Sequence, residues 1–173
     1  MRWNKVRYPP MKHVSINEFA TFRVHDCAVE ALTIENDRVV CVLDSIDVTT
    51  DNTLNDQPTD MQAEPARATF EGFAVEQIHC CGRACYNEDG ELIECVPSQT
   101  LAPEAYGECL EGLREDIELH NLYLFAGEAL ESSEGRRRAR VDFGGVEVTF
   151  SYTRLTVAWG AFTKRAWYMD FNK

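Results

Sequence analysis

The stretch from Ala139 to Phe150 restricts the fold of this chain more than any other, because two alternating apolar-polar runs meet at Gly144-Gly145. A Gly-Gly pair supplies the positive φ angles that a two-residue hairpin turn needs. Folded about that pair, Phe143 lies opposite Val146, Val141 opposite Val148 and Ala139 opposite Phe150. Arg140 and Thr149 fall on the other face. The like-charged Asp142 and Glu147 also meet there, where neighbouring Arg140 offsets their repulsion. A hairpin with one apolar and one polar side must lay the apolar side on a core.

Beyond this hairpin the apolar parity slips. Val146, Val148, Phe150 and Tyr152 are even-numbered, whereas Leu155, Val157 and Trp159 are odd. A bulge or sharp bend near Thr153-Arg154 accounts for the slip, and such devices curve a sheet toward closure. A second hairpin is expected about Asn36-Asp37, joining Ala28–Ile34 to Val39–Leu43. Leu32 and Ile34 then share a face with Val39, Cys41 and Leu43, while Val29 and Ala31 share the other with Val40 and Val42. With both faces apolar, this hairpin is expected between two layers.

Pro103 suits a helix start, and Tyr106, Cys109, Leu110, Leu113 and Ile117 recur at helical spacing. The Ser15-x-x-Glu18 spacing is that of a capping box and predicts a short helix over about 16–22. Residues 44–66 are rich in Asp, Asn and Thr and read as a polar loop or insertion. Strand-like runs return near 68–79 and after Asp89-Gly90, a pair suited to a tight turn. The expected fold is α+β and predominantly antiparallel β. It has a strongly curved sheet or partial barrel, one amphipathic helix over about 103–117 and a short N-terminal helix. At 173 residues this is expected as one domain spanning 1–173, large enough to bury roughly 70% of its unfolded surface.

The formal charge of -12 disfavours nucleic acid and anionic membrane surfaces as partners and suits a basic protein. It also serves simply to keep a protein soluble. The N-terminal basic residues Arg2, Lys5, Arg7 and Lys12 are not followed by an apolar run of the kind a secretory signal carries. Seven cysteines, an odd number unevenly spaced, fit a reducing compartment, so a cytoplasmic location is expected.

His79, Cys80, Cys81 and Cys85 form the densest set of soft and borderline ligands, a chemistry that suits zinc. The paired knuckle spacing of zinc motifs is absent, and adjacent strand residues such as Cys80 and Cys81 face apart. Small buried thiols are the reading the spacing favours. A thiolate activated by Arg83 is the catalytic alternative. His25-Asp26 pairs an imidazole with a carboxylate that can orient it, yet Asp26 serves equally to turn the chain into the first hairpin. Asp51, Thr53 and Asn55 alternate like calcium ligands without the glycine and glutamate that complete such a loop. Arg136, Arg137, Arg138 and Arg140 could fork onto carboxylate or phosphate, or shield a strand start. Phosphate-binding, dinucleotide-binding, serine-hydrolase and zinc-protease motifs are all missing, so no catalytic residue, cofactor or metal is assigned.

The stretch Phe22-Arg23-Val24-His25-Asp26-Cys27, with the apolar runs that follow it to Leu43, resembles the start of small uncharacterised bacterial proteins. In those a His-Asp pair precedes the first β-hairpin, and some are suspected immunity proteins. The resemblance covers about thirty residues and implies a partner-binding role. The leading expectation is therefore a non-catalytic protein-binding module. The alternative is a small-molecule or enzymatic site inside the curved sheet, lined by Trp159, Phe162, Trp167 and Tyr168.

Overall fold

Alternating sequences that bury one side each pair into sheets, and the computed structural model, which describes residues 10–171, contains fifteen strands and one α-helix. Arg2, Lys5 and Arg7 lie outside the described residues. In chain order the strands are β1 (His13–Ile16), β2 (Phe22–Arg23), β3 (Ala28–Glu35), β4 (Arg38–Leu43), β5 (Ile46–Val48), β6 (Met61–Glu71), β7 (Ala74–Cys80) and β8 (Arg83–Tyr86). They continue as β9 (Leu92–Val96), β10 (Gln99–Thr100), β11 (Leu122–Tyr123), β12 (Ala126–Ser133), β13 (Arg136–Asp142), β14 (Val146–Tyr152) and β15 (Arg154–Arg165). A 3₁₀ turn over Pro103–Ala105 leads into α1 (Tyr106–Leu119).

The larger sheet runs β1-β15-β6-β4-β3-β11, with β5 beside β6 and β2 beside β5; the smaller runs β10-β7-β14-β13-β12. All pairings are antiparallel. The two sheets share one apolar core in which Leu32, Val39, Cys41 and Leu43 join Ile78, Val141, Val148 and Phe150. Leu113 and Ile117 of α1 complete that core, so the helical stripe packs as its spacing predicts.

The Gly144-Gly145 hairpin has its predicted register: Val141 pairs with Val148, Ala139 with Phe150 and Arg140 with Thr149. Both glycines take positive φ, 68° and 102°. The Asn36-Asp37 hairpin also pairs as predicted from Ala31–Val42 to Glu35–Arg38. An irregularity at Glu30 then brings Val29 opposite Leu43 and turns it into the core, away from the face its parity assigns. Val40 and Val42 lie on the outer side and are only half-buried, so the layer expected over them is absent among the described residues.

Neither the strongly curved sheet nor the partial barrel is present; the sheets stay open. The parity slip at Thr153 has a different cause. There the chain leaves the smaller sheet after β14 and enters the larger one as β15, so the apolar side changes because the sheet changes. The β6-β7 segment makes the same passage at Gly72 beside it. Glu71 pairs with Arg154 in one sheet and Ala74 with Ser151 in the other. Gly72 has φ 64°, and a Cβ placed on it would come within 2.6 Å of the Thr153 hydroxyl. The Thr153 amide donates to the Glu71 carbonyl at 2.9 Å, and Arg136 donates to the Gly72 carbonyl and to Ser151 Oγ. Phe70, Phe150 and Tyr152 pack edge to face inside this corner, with Phe70 centroids 5.0 and 5.2 Å from the other two.

The predicted N-terminal helix over about 16–22 is also absent. Residues 13–16 are strand, and only Phe19–Thr21 form a single 3₁₀ turn. The Ser15 hydroxyl does donate to the Glu18 carboxylate, but Asn17 between them has φ 60°, so the contact closes a tight turn. Thr53 donates to the same carboxylate from its amide and its hydroxyl. Burial opposes ionisation of Glu18, yet these hydrogen bonds hold its carboxyl below the usual range. The stretch 44–66 is only partly loop, since β5 is wholly buried and β6 begins at Met61. Residues 49–60 between them are stitched from inside. Asn52 donates to Ser15 Oγ and Thr21 Oγ1, and Asn55 donates to the carbonyls of Val48 and Thr59.

Candidate functional site

Three segments far apart in sequence, carrying His25, Phe125 and the pair Trp167 and Phe171, meet at the β2 end of the larger sheet. The turn between β2 and β3 carries His25 and Asp26, with Asp26 at φ 62° as its turn-forming alternative requires. The Cys27 amide donates to the Val24 carbonyl within this turn at 3.1 Å, and the Asp26 amide donates out of it to the Leu124 carbonyl at 2.8 Å. The imidazole stands outside, with Nδ1 2.6 Å from the Phe125 carbonyl and Nε2 3.3 Å from Asp26 Oδ2. Its ring lies 6.2 Å from Trp167, which in turn packs edge-on against Phe171 at 5.8 Å. Phe125, Trp167 and Phe171 are 53%, 45% and 77% exposed, and His25 links them into one exposed strip, through a ring contact to Trp167 and through the backbone carbonyl of Phe125.

Carboxylates underlie and border this strip. After β15 the 3₁₀ turn Trp167–Asp170 brings Tyr168 Oη within 2.8 Å of Asp60 Oδ2, while Asp60 Oδ1 accepts from the Thr50 amide. Asp47, in the middle of β5, points away from the core side taken by Ile46 and Val48. It is only 5% exposed, and its carboxylate has no hydrogen-bond partner among the described residues. Burial, then the nearby Asp60 charge, pushes its carboxyl up to about 6, against a partial pull from Lys164. Burial and the same two carboxylates push the Tyr168 phenol up as well. Asp26 and Asp170 stand exposed beside the rings, and Asp170 lies 3.8 Å from Arg165.

Such a site can hold a cation. Aromatic faces attract ammonium and guanidinium groups through their quadrupole, and the carboxylates of Asp26, Asp47, Asp60 and Asp170 have the same sign of preference, partly offset by Arg23, Lys164 and Arg165 beside them. Acid-base chemistry is poorly served, because both His25 nitrogens already face oxygen acceptors and, among the described residues, no hydroxyl or thiol nucleophile is bonded to them.

The other candidate residues are dispersed. His79 bonds Thr100 on the outer side of the smaller sheet, while Cys80 turns toward Cys109 of α1. Burial and the neighbouring Cys80 push the Cys109 thiol up to about 11. Cys81 and Cys85 are exposed, and among the described residues no three His, Cys, Asp or Glu side chains gather as a metal site. Arg83 pairs with Glu94 at 3.3 Å, and the Cys85 thiol faces that same carboxylate. Cys27 and Cys41 are buried, with thiols pushed up to about 12, chiefly by desolvation. The arginine run is consumed by the fold: Arg138 pairs with Glu76, Arg140 with Glu128 and Glu147, and Arg137 donates to the Thr153 carbonyl.

A cavity of about 60 Å³ lies between the sheets, lined only by apolar side chains such as Phe22, Phe70, Leu113 and Val148 and by the Cys41 thiol. Trp159, Phe162, Trp167 and Tyr168 do not line it. Trp159 is instead fully buried, stacked on His13 at 5.3 Å, with its indole N–H unpartnered among the described residues. Phe125 and Phe171, which complete the exposed strip, carry no sequence signal beyond being aromatic. No helix among the described residues is long and apolar enough to cross a membrane. No family model, curated protein or solved structure matches this chain.

Proposed function

We propose that this protein is a binding module that holds a basic protein partner on the aromatic strip of Phe125, His25, Trp167 and Phe171. The observation that carries the reading is that Trp167 and Phe171, in ring contact with each other and, through Trp167, with His25, and Phe125, whose backbone carbonyl faces the same imidazole, all stay in water near a group of carboxylates. Exposed aromatics are costly to solvate and supply most of the energy of protein interfaces. A lysine or arginine laid on Trp167 would gain from the ring and from Asp26 and Asp60 together. Asp47 supports the same reading, since a largely desolvated carboxyl that Lys164 only partly compensates gains from a further positive charge nearby. An immunity-like role, capturing a basic toxin, is the specific form suggested by the stretch around His25-Asp26.

Affinity purification from the native cell at low salt tests this. The expected result is a stoichiometric basic protein that elutes as salt is raised and is lost with Trp167→Ala or Phe125→Ala. Recovery of no basic protein at low salt, or retention unaffected by both substitutions, would overturn it.

A further inference from the structure

β8 and β9 form a two-stranded sheet of their own, and every residue of both strands is exposed. They rise as an arm from the end of β7, where the Cys81 amide bonds the Gly145 carbonyl. Gly82 allows the two legs to close at the base, since a Cβ there would lie 2.7 Å from the Ser98 amide nitrogen. The tip is shaped by Asn87, whose side-chain oxygen accepts from the amides of Asp89 and Glu91.

The register sorts the arm into two faces. Arg83, Cys85, Glu94 and Val96 share one, and Ala84, Tyr86, Leu92 and Cys95 share the other, with Ile93 at a bulge. Tyr86, Leu92 and Ile93 are 62%, 55% and 68% exposed. A lone hairpin is marginally stable in water, and this one displays its apolar side to solvent. Its charge is one-sided, with Arg83 against Glu88, Asp89, Glu91 and Glu94.

The outer side of the larger sheet is its complement. Reading across five strands, Val14, Ala158, Arg67, Val42 and Ala31 form one row, and Ile16, Thr156, Thr69, Val40 and Thr33 the next. Arg67 stands in the middle of this aliphatic surface and has no ion pair among the described residues. The adjoining row holds Arg154, Glu71, Arg38 and Glu35, so this face carries three arginines against two glutamates in a molecule of charge -12.

We propose that the β8–β9 arm of one copy packs on this outer face of a second copy, reciprocally, giving a closed dimer. Tyr86, Leu92 and Ile93 cover Val14, Ile16, Val40, Val42 and Ala31, Ala158 between them being already buried, and the carboxylates around the tip meet Arg67, Arg38 and Arg154. Each surface is what the other lacks, in shape of charge as well as in apolar character. A reciprocal exchange leaves neither surface open, whereas a one-way contact would propagate into a chain of molecules. The inference stands apart from the basic partner, which uses the opposite end of β15.

Sedimentation analysis of the full chain under reducing conditions tests it, with thiols reduced because Cys81, Cys85 and Cys95 are exposed. Leu92→Lys removes the arm contact and Arg67→Glu the face contact, each weakening dimerisation by about tenfold or more, while both proteins keep the wild-type circular dichroism and, at dilutions where all three are monomeric, the wild-type melting temperature. Mixed in equal amounts, the two variants should associate more tightly than either alone, because the intact arm of one can still meet the intact face of the other. A wild-type chain that is monomeric at high micromolar concentration would overturn the proposal. So would a Leu92→Lys protein that dimerises like wild type, or a mixture no tighter than its components. Trp167→Ala leaves the dimer intact, which separates failure of this contact from failure of the aromatic strip.

Discussion

The β13-β14 and β8-β9 hairpins are built alike and end differently. Both turn on glycine, both alternate apolar and polar residues, and both pair antiparallel. In the first, Ala139, Val141, Val148 and Phe150 are all buried by the opposing sheet and helix; in the second no residue is buried at all. Alternation thus specifies that a strand has two sides, and the rest of the chain specifies whether anything covers the apolar one. The first hairpin contributes its buried area to stability, whereas the second keeps its apolar side available for association.

Charge insertion separates the two most sharply. Val148→Lys buries an ammonium among aliphatic side chains and is expected to cost about 3 kcal/mol or more, enough to unfold much of the population, whereas Leu92→Lys changes monomer stability by less than about 0.5 kcal/mol. Urea titration of both variants checks this, and an equal loss would mean that the arm is part of the core. The corner that brings β14 to its covering sheet comes next. Gly72→Val combines an unfavourable positive φ with a clash against Thr153, for an expected loss of about 2 kcal/mol. Denaturant midpoints that do not move would remove Gly72 from the set of residues that hold the two sheets together.

The smallest effect concerns pH. The unfolded chain releases the Asp47 proton near its ordinary value of 3.8, while the folded protein retains it up to about 6. Stability from this group is therefore complete below the lower value and is lost as pH rises through the upper one. Asp47→Asn is expected to raise the melting temperature at pH 8 by about 2–4 °C, the shift that about 1 kcal/mol produces in a chain of this size, and to change it little in acid. An unaltered melting temperature at pH 8 would show that the carboxylate is well solvated.

Much of the strand pairing is legible in the sequence because a two-residue turn and period-two burial determine register together, as at Gly144-Gly145 and Asn36-Asp37. Helix α1 is legible because five apolar residues keep one face. The path at Thr153 is not, since a bulge within one sheet and a passage between two sheets produce the same slip in parity. Ser15 and Glu18 make the contact that their spacing foretells, but a hydrogen bond three residues long fits a turn as well as a helix, and only Asn17 at positive φ distinguishes them. His25 and Trp167 stand out individually in the sequence. Their meeting depends on the ends of β2 and β15 arriving at one edge, which no local pattern encodes.

The joint passage of β6-β7 and β14-β15 through the corner has a mechanical consequence. Since one antiparallel ribbon supplies strands to both layers, prising them apart requires its hydrogen-bond ladder to unzip across the bend at Gly72 and Thr153. Loosening of one layer is therefore transmitted to the other along continuous backbone, and the body yields as a whole while the arm is free to fray alone.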